Sequence, residues 1–112
     1  MAGEIVIEGD WYDYDSKYND ESSRFVAPAR LTPPQSRTVR ELAERAFASL
    51  GCKGLARVDF FLENKSDEFL INEVNTMPGF TPISGFPTMW QASGMTYGEL
   101  CDELVQLALR GE

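Results

Sequence analysis

The sequence predicts an α+β fold, an antiparallel sheet with helices packed on it, and three observations carry that expectation. Two runs rich in β-branched and aromatic residues, 55–63 and 68–75, flank the polar segment Asn64-Lys65-Ser66-Asp67, which is the composition of a hairpin. Between 34 and 50, Val39, Leu42, Ala43, Ala46, Phe47 and Leu50 recur at helical spacing. Near the end of the chain, Thr96 stands three residues before Glu99, a capping box, and Leu100, Leu104, Leu107 and Ala108 then fall on one side of a second helix.

The remaining elements follow in order. Residues 4–8, centred on Ile5, Val6 and Ile7, read as a short strand. Residues 9–24 are polar and aromatic without periodicity and read as a loop. Pro33-Pro34 opens the first helix, since fixed φ angles and missing N–H groups cost nothing in a first turn. Gly51 and Gly54 end it and lead into the hairpin. That helix is expected to lie on the hairpin through Val39, Leu42, Ala46 and Phe47. After the second strand, Asn75-Thr76-Met77-Pro78-Gly79-Phe80-Thr81-Pro82 has neither helical nor strand period, and Gly79 following Pro78 predicts a tight turn. Residues 86–92 read as a short helical turn. There is no internal repeat or low-complexity linker, so the chain is expected to form one unit.

Composition narrows the chemistry. The chain has 112 residues, 43% of them hydrophobic and 25% charged, with a net charge of −8. That charge argues against a nucleic-acid partner. No apolar run is long enough to span a membrane, and no signal peptide opens the sequence. Histidine is absent, which excludes a Ser-His-Asp or Cys-His mechanism and the usual zinc sites. Cys52 and Cys101 are able in principle to pair; as isolated cysteines on helix-like segments they fit better as the reduced thiols of a cytoplasmic protein. Chemistry here has to use carboxylates, lysine, arginine, backbone amides and metal.

The hairpin carries the most informative pattern. If it is centred near Ser66, Asp59 falls opposite Glu73 and Arg57 opposite Asn75, and all four side chains share one face. A charged strand face is ordinarily only a solvated one. Two features favour function. Like charges directly opposite each other destabilise a bare sheet, so Asp59 facing Glu73 needs a reason. The glycine turn that follows also suits phosphate or acyl chemistry. Two carboxylates and an amide oxygen are hard ligands of the kind Mg²⁺ takes when it bridges to phosphates.

Arg57-Val58-Asp59, then Asn72-Glu73-Val74-Asn75-Thr76-Met77-Pro78-Gly79-Phe80-Thr81 and Ser84, closely resemble the carboxy-terminal part of D-alanine–D-alanine ligases, which are ATP-grasp enzymes. Upstream, Trp11-Tyr12-Asp13-Tyr14-Asp15-Ser16-Lys17-Tyr18 is similar to the family's mobile loop over the active site. The resemblance covers nearly the whole chain, with both motifs in the family's order and spacing. It implies that residues 1–112 are the carboxy-terminal portion of the ATP-grasp domain, with 9–24 the mobile loop and 55–85 the metal and substrate site. The amino-terminal domain and adenine-binding region have no counterpart here, and Met1-Ala2-Gly3 reads as the cut edge of a longer chain. A fragment of this kind is expected to be inactive alone.

The implied reaction is ATP-dependent ligation of two D-alanines through an acyl phosphate, for peptidoglycan precursors. The implied cofactors are ATP and two Mg²⁺ ions, with Mn²⁺ an alternative. By resemblance, Asp59 and Glu73 bind one ion, and Glu73 and Asn75 the other. Arg57 reaches the transferred phosphoryl group and the oxyanion, the Gly79 N–H donates to the oxyanion, and Ser84 contacts the carboxylate of the second D-alanine. Gly85 departs from the pattern, which places a larger apolar residue after that serine. Lys17 corresponds to a phosphate-contacting lysine, and Tyr18 to the tyrosine that closes the loop and accompanies preference for D-alanine over D-lactate. The expected partners are small molecules, D-alanine and ATP, with no nucleic acid and no membrane; the parent is expected in the cytoplasm, with a homodimer left open. Two other classes stay open: a D-alanine–D-lactate or other ATP-grasp carboxylate-amine ligase, and a small acidic module that merely holds Ca²⁺ or a solvated face.

Overall fold

The computed structural model describes residues 1–7 and 23–112. Among them, the elements run β1 Glu4–Ile7, β2 Ser23–Val26, α1 Pro33–Ser49, β3 Arg57–Leu62, β4 Phe69–Asn75, α2 Gly85–Ala92 and α3 Tyr97–Arg110. The expected antiparallel pairing is present among the described residues as two two-stranded ladders, β1 with β2 and β3 with β4. Strand β2 takes residues 23 and 24 out of the expected loop, with Arg24 opposite Val6 and Phe25 opposite Ile5. Four residues with one polar pair are too few for alternation to show; pairing with β1 defines this strand. Glu4 anchors the ladder to the chain beyond it. Its carboxylate accepts from Arg30 Nε at 3.0 Å, Nη2 at 2.8 Å and the backbone N–H at 3.1 Å, and these bonds hold its pKa below the ordinary carboxylate value.

Helix α1 begins one residue earlier in its capping than its prolines indicate. Thr32 is the N-cap, accepting from the Gln35 N–H while the Gln35 side chain accepts from the Thr32 N–H, so the box closes around Pro33-Pro34. Its end is a Schellman motif: the Cys52 N–H donates to the Phe47 carbonyl, the Gly51 N–H to that of Ala48, and Gly51 takes φ 65°. Val39 is buried, and Leu42, Ala43, Ala46 and Phe47 are half-buried along the same stripe. Leu50, expected to extend it, is 65% exposed, because the cap turns the chain away there.

Strands β3 and β4 form the expected hairpin, with Arg57 opposite Asn75 and Asp59 opposite Glu73. Beyond Asp59 the register shifts, so that Phe60 pairs with Ile71 and Asn72 is the extra residue of a bulge. At the tip, Asp67 takes φ 59°, which aspartate tolerates, and accepts a bond from Gln35 in the first turn of α1. Helix α1 packs on β3 and β4. Val58, Phe60, Leu62, Phe69 and Val74 are half-buried, whereas Phe61 and Leu70, paired on the other face, are 57% and 53% exposed. The helix therefore covers most of the first face, Ile71 opposite Phe60 staying 56% exposed, and leaves open the one that carries Asp59.

Residues 85–92 make a full two-turn helix rather than a short turn. Helix α3 starts at the predicted Thr96–Glu99 box. The bonds within the box hold the Glu99 pKa low. Leu100 is buried and Leu104 and Leu107 half-buried, but Ala108 is exposed. Phe80, Phe86, Trp90 and Tyr97 form an aromatic cluster between α2 and α3, with centroid separations of 5.5–6.5 Å. Both cysteines are free thiols. No helix among the described residues is long and apolar enough to cross a membrane.

Candidate active site

The open face of the hairpin brings Arg57, Asp59 and Glu73 together. Alternation along β3 places Arg57 and Asp59 on one side, and the register before the bulge brings Glu73 across from Asp59. Arg57 grips Asp59 with both arms of its fork, Nε to Oδ1 at 2.8 Å and Nη2 to Oδ2 at 2.9 Å. The same Nη2 lies 3.5 Å from Glu73 Oε1. One guanidinium thus offsets the repulsion of two facing carboxylates. Arg57 and Asp59 are about a quarter exposed or less, and Glu73 rather more, so the group is open to solvent on one side.

Asn75, opposite Arg57, ends β4 by accepting a bond from the Met77 N–H at 2.9 Å on Oδ1. This Asx turn redirects the chain toward Pro78, which is buried. The amide oxygen retains a second lone pair. Among the described residues no group of three or more His, Cys, Asp and Glu comes together. The donors here are two carboxylates and an amide oxygen. That set fits a hard cation whose remaining ligands are phosphate oxygens and water, and the Arg57 guanidinium shows that positive charge is accepted at this spot.

The loop from 76 to 84 carries the second group. Gly79 does not adopt the left-handed conformation that a tight-turn glycine would take; among the described residues the glycines with positive φ are Gly51, Gly54, Gly94 and Gly111. The reason for glycine here is space. A Cβ at 79 would meet Ser84 Oγ at 3.2 Å. Ser84 is the N-cap residue of α2 yet makes no side-chain cap bond. Its Oγ turns back to accept from the Thr81 N–H at 3.0 Å and lies 2.7 Å from Thr81 Oγ1. From below, the Tyr97 hydroxyl donates to the Phe80 carbonyl at 2.6 Å, and the Phe80 ring packs on Phe86 and Tyr97. Gly85 faces the ring of Phe25 in β2; a Cβ at 85 would stand 3.3 Å from it, so this glycine makes room for a neighbouring element.

Of the residues singled out in sequence, Arg57, Asp59 and Glu73 form one contact group, Asn75 sits at its edge, and Gly79 and Ser84 are neighbours in the loop beyond. Gly85 lies beside Ser84 at the start of α2. Lys17 and Tyr18 lie outside the described residues. Sequence reasoning passed over Thr81 and Tyr97. Thr81 had a signal, a hydroxyl three residues before Ser84; Tyr97 had none, since its position in sequence marks only the first turn of a helix.

A family model described as "D-ala D-ala ligase C-terminus" matches residues 1–106. A D-alanine–D-alanine ligase of Clostridium novyi is 48% identical over 107 residues, covering 96% of this chain and 31% of that protein. One from Streptomyces avermitilis is 56% identical over 100 residues, 89% of this chain and 26% of that protein. Among solved structures, the VanG D-Ala:D-Ser ligase of Enterococcus faecalis superposes with TM-score 0.81 at 37% identity, covering 94% of this chain and 30% of that one. The D-alanine–D-alanine ligase of Bacillus anthracis complexed with ATP gives 0.78 at 29% identity, covering 96% of this chain and 35% of that one. The 112 residues thus span under a third of the curated relatives they match.

Proposed function

Because this chain belongs to the D-alanine–D-alanine ligase family, as that family's carboxy-terminal part, we propose that the full-length protein joins two D-alanines at the expense of ATP. The observation that carries this reading is the register of the hairpin, which sets Asp59 against Glu73 with Arg57 bonded to both. Asp59 and Glu73 would hold one Mg²⁺, and Glu73 and Asn75 a second, with Mn²⁺ able to replace either. Bound there, such ions would supply positive charge against the phosphate oxygens.

The chain's own residues divide the remaining work. Arg57 leaves its carboxylate partners to bind the transferred phosphoryl group and the oxyanion that forms when the second D-alanine attacks; a planar fork suits both tasks. The Gly79 N–H donates to that oxyanion, and the missing side chain lets substrate approach. Ser84 binds the carboxylate of the second D-alanine, with Gly85 beside it. Lys17 contacts phosphate, and Tyr18 closes the loop that carries it over the site. Phe61 and Leu70, exposed on the same face as Asp59, continue the site as an apolar wall. The product serves peptidoglycan synthesis, and the enzyme works in the cytoplasm.

The test is Glu73→Gln in the full-length protein. One carboxylate serves both ions, and its amide replacement carries no charge, so D-alanine-dependent ADP release should disappear while circular dichroism stays unchanged. Near-normal turnover at saturating Mg²⁺ would remove Glu73 from the mechanism. A second reading draws on the Enterococcus faecalis neighbour, a D-Ala:D-Ser ligase by its description: the acceptor is D-serine or D-lactate rather than D-alanine. Offering all three acceptors in the same assay separates the two readings.

A further inference from the structure

Ser84 and Thr81 are tied in both directions. The Thr81 N–H donates to Ser84 Oγ at 3.0 Å, the two hydroxyl oxygens share a proton at 2.7 Å, and the Ser84 N–H donates to the Thr81 carbonyl at 3.0 Å. A serine hydroxyl has one proton and two lone pairs. The Thr81 N–H takes one lone pair. When the Thr81 hydroxyl donates into the other, the Ser84 oxygen is saturated as an acceptor, and its own proton has to point away from the pair. The ground outside is open, because Thr81 is exposed and the neighbouring position is Gly79, where a Cβ would lie 3.2 Å from Ser84 Oγ. Nor is the hydroxyl drawn to the helix, since Ser84 makes no side-chain cap bond to α2.

We infer that Thr81 is a positioning residue that fixes the Ser84 hydroxyl as an outward donor, and so makes this subsite select the carboxylate of the second D-alanine. The inference rests on the substrate reading above. A carboxylate only accepts hydrogen bonds, so it favours the arrangement in which Thr81 donates to Ser84 and Ser84 donates outward. Without the Thr81 hydroxyl, Ser84 is free to rotate, and part of the time it presents a lone pair to the anion.

The experiment varies D-alanine at saturating ATP, and ATP at saturating D-alanine, both at saturating Mg²⁺ in the full-length protein, comparing wild type, Thr81→Val, Thr81→Ser and Ser84→Ala. Thr81→Val should raise KM for the second D-alanine by about 5–10-fold, the scale of one hydrogen bond, with KM for ATP unchanged. Thr81→Ser, which keeps the hydroxyl, should restore the wild-type value. Should Thr81→Val not fold, Thr81→Cys, similar in size but a weak donor, carries the same comparison. Three results would overturn the inference: an unchanged second KM in Thr81→Val while Ser84→Ala raises it, a rise in the KM for ATP alongside it, or no rescue by Thr81→Ser. If Ser84→Ala itself leaves the second KM unchanged, or no ADP release depends on D-alanine, the substrate reading fails and this inference with it.

Discussion

Replacing Tyr97 by phenylalanine deletes one oxygen and leaves its ring contact in place. That oxygen donates to the Phe80 carbonyl at 2.6 Å, across 17 residues, and joins α3 to the loop that carries Gly79, Thr81 and Ser84. The ring of a phenylalanine still packs on Phe80, whose centroid lies 5.5 Å away, so the substitution isolates the hydrogen bond. A neutral bond contributes about 1 kcal/mol net, and a half-buried carbonyl left without its donor brings the cost to about 1–2 kcal/mol. Applied to local opening of the loop, that multiplies the open population by about 5–30-fold. Hydrogen exchange followed by mass spectrometry on segment 79–84 of the intact protein reads this factor directly. Exchange there should accelerate by that amount, while amides of α1 keep their rates. Turnover should also fall with KM for ATP unchanged, because the proposed oxyanion donor sits on the loosened loop. Exchange within about twofold of wild type would refute the reasoning; the aromatic packing of Phe80, not the hydroxyl, would then be what holds the loop.

Two further outcomes concern stability. Leu100 is 3% exposed, so Leu100→Ala should destabilise the domain by about 2–5 kcal/mol in urea unfolding, by lost transfer energy plus the cavity left behind. Glu4 gives a pH signature. Its pKa is lowered in the folded state by its bonds to Arg30, so its contribution is fully present above the ordinary value of 4.5 and is lost as pH falls through the folded value. The difference in melting temperature between wild type and Glu4→Gln should therefore be present at neutral pH and shrink on acidification below 4.5; a difference that grows on acidification would reverse the assigned sign.

Much of this molecule was decided locally, and those parts were legible in the sequence. The hairpin itself follows from two apolar runs on either side of a four-residue polar turn, and period-two alternation along β3 puts Arg57 and Asp59 on one face. The Thr96–Glu99 box and the Gly51 cap are also local, as their hydrogen bonds span no more than six residues. Thr32-Pro33-Pro34-Gln35 carried the same capping signal as Thr96, although the prolines alone suffice to start that helix.

Tertiary structure decided what depends on distant partners. Strand β2 exists because β1 pairs with it, and its four residues hold no period of their own. The bulge at Asn72 offsets the site from the tip by one residue, so that Asp59 meets Glu73 although the pairing at the tip runs toward Asn72, a shift no alternation pattern marks. Gly85 answers to the ring of Phe25, 60 positions earlier in the chain, and the loop of Gly79 answers to the hydroxyl of Tyr97. The types of the groups proposed for catalysis were therefore fixed by residue identity and short-range spacing. Their orientation was fixed by a guanidinium across the strands, a threonine three residues away and a tyrosine from another helix, because hydrogen bonds and packing act through space, where sequence separation carries no information.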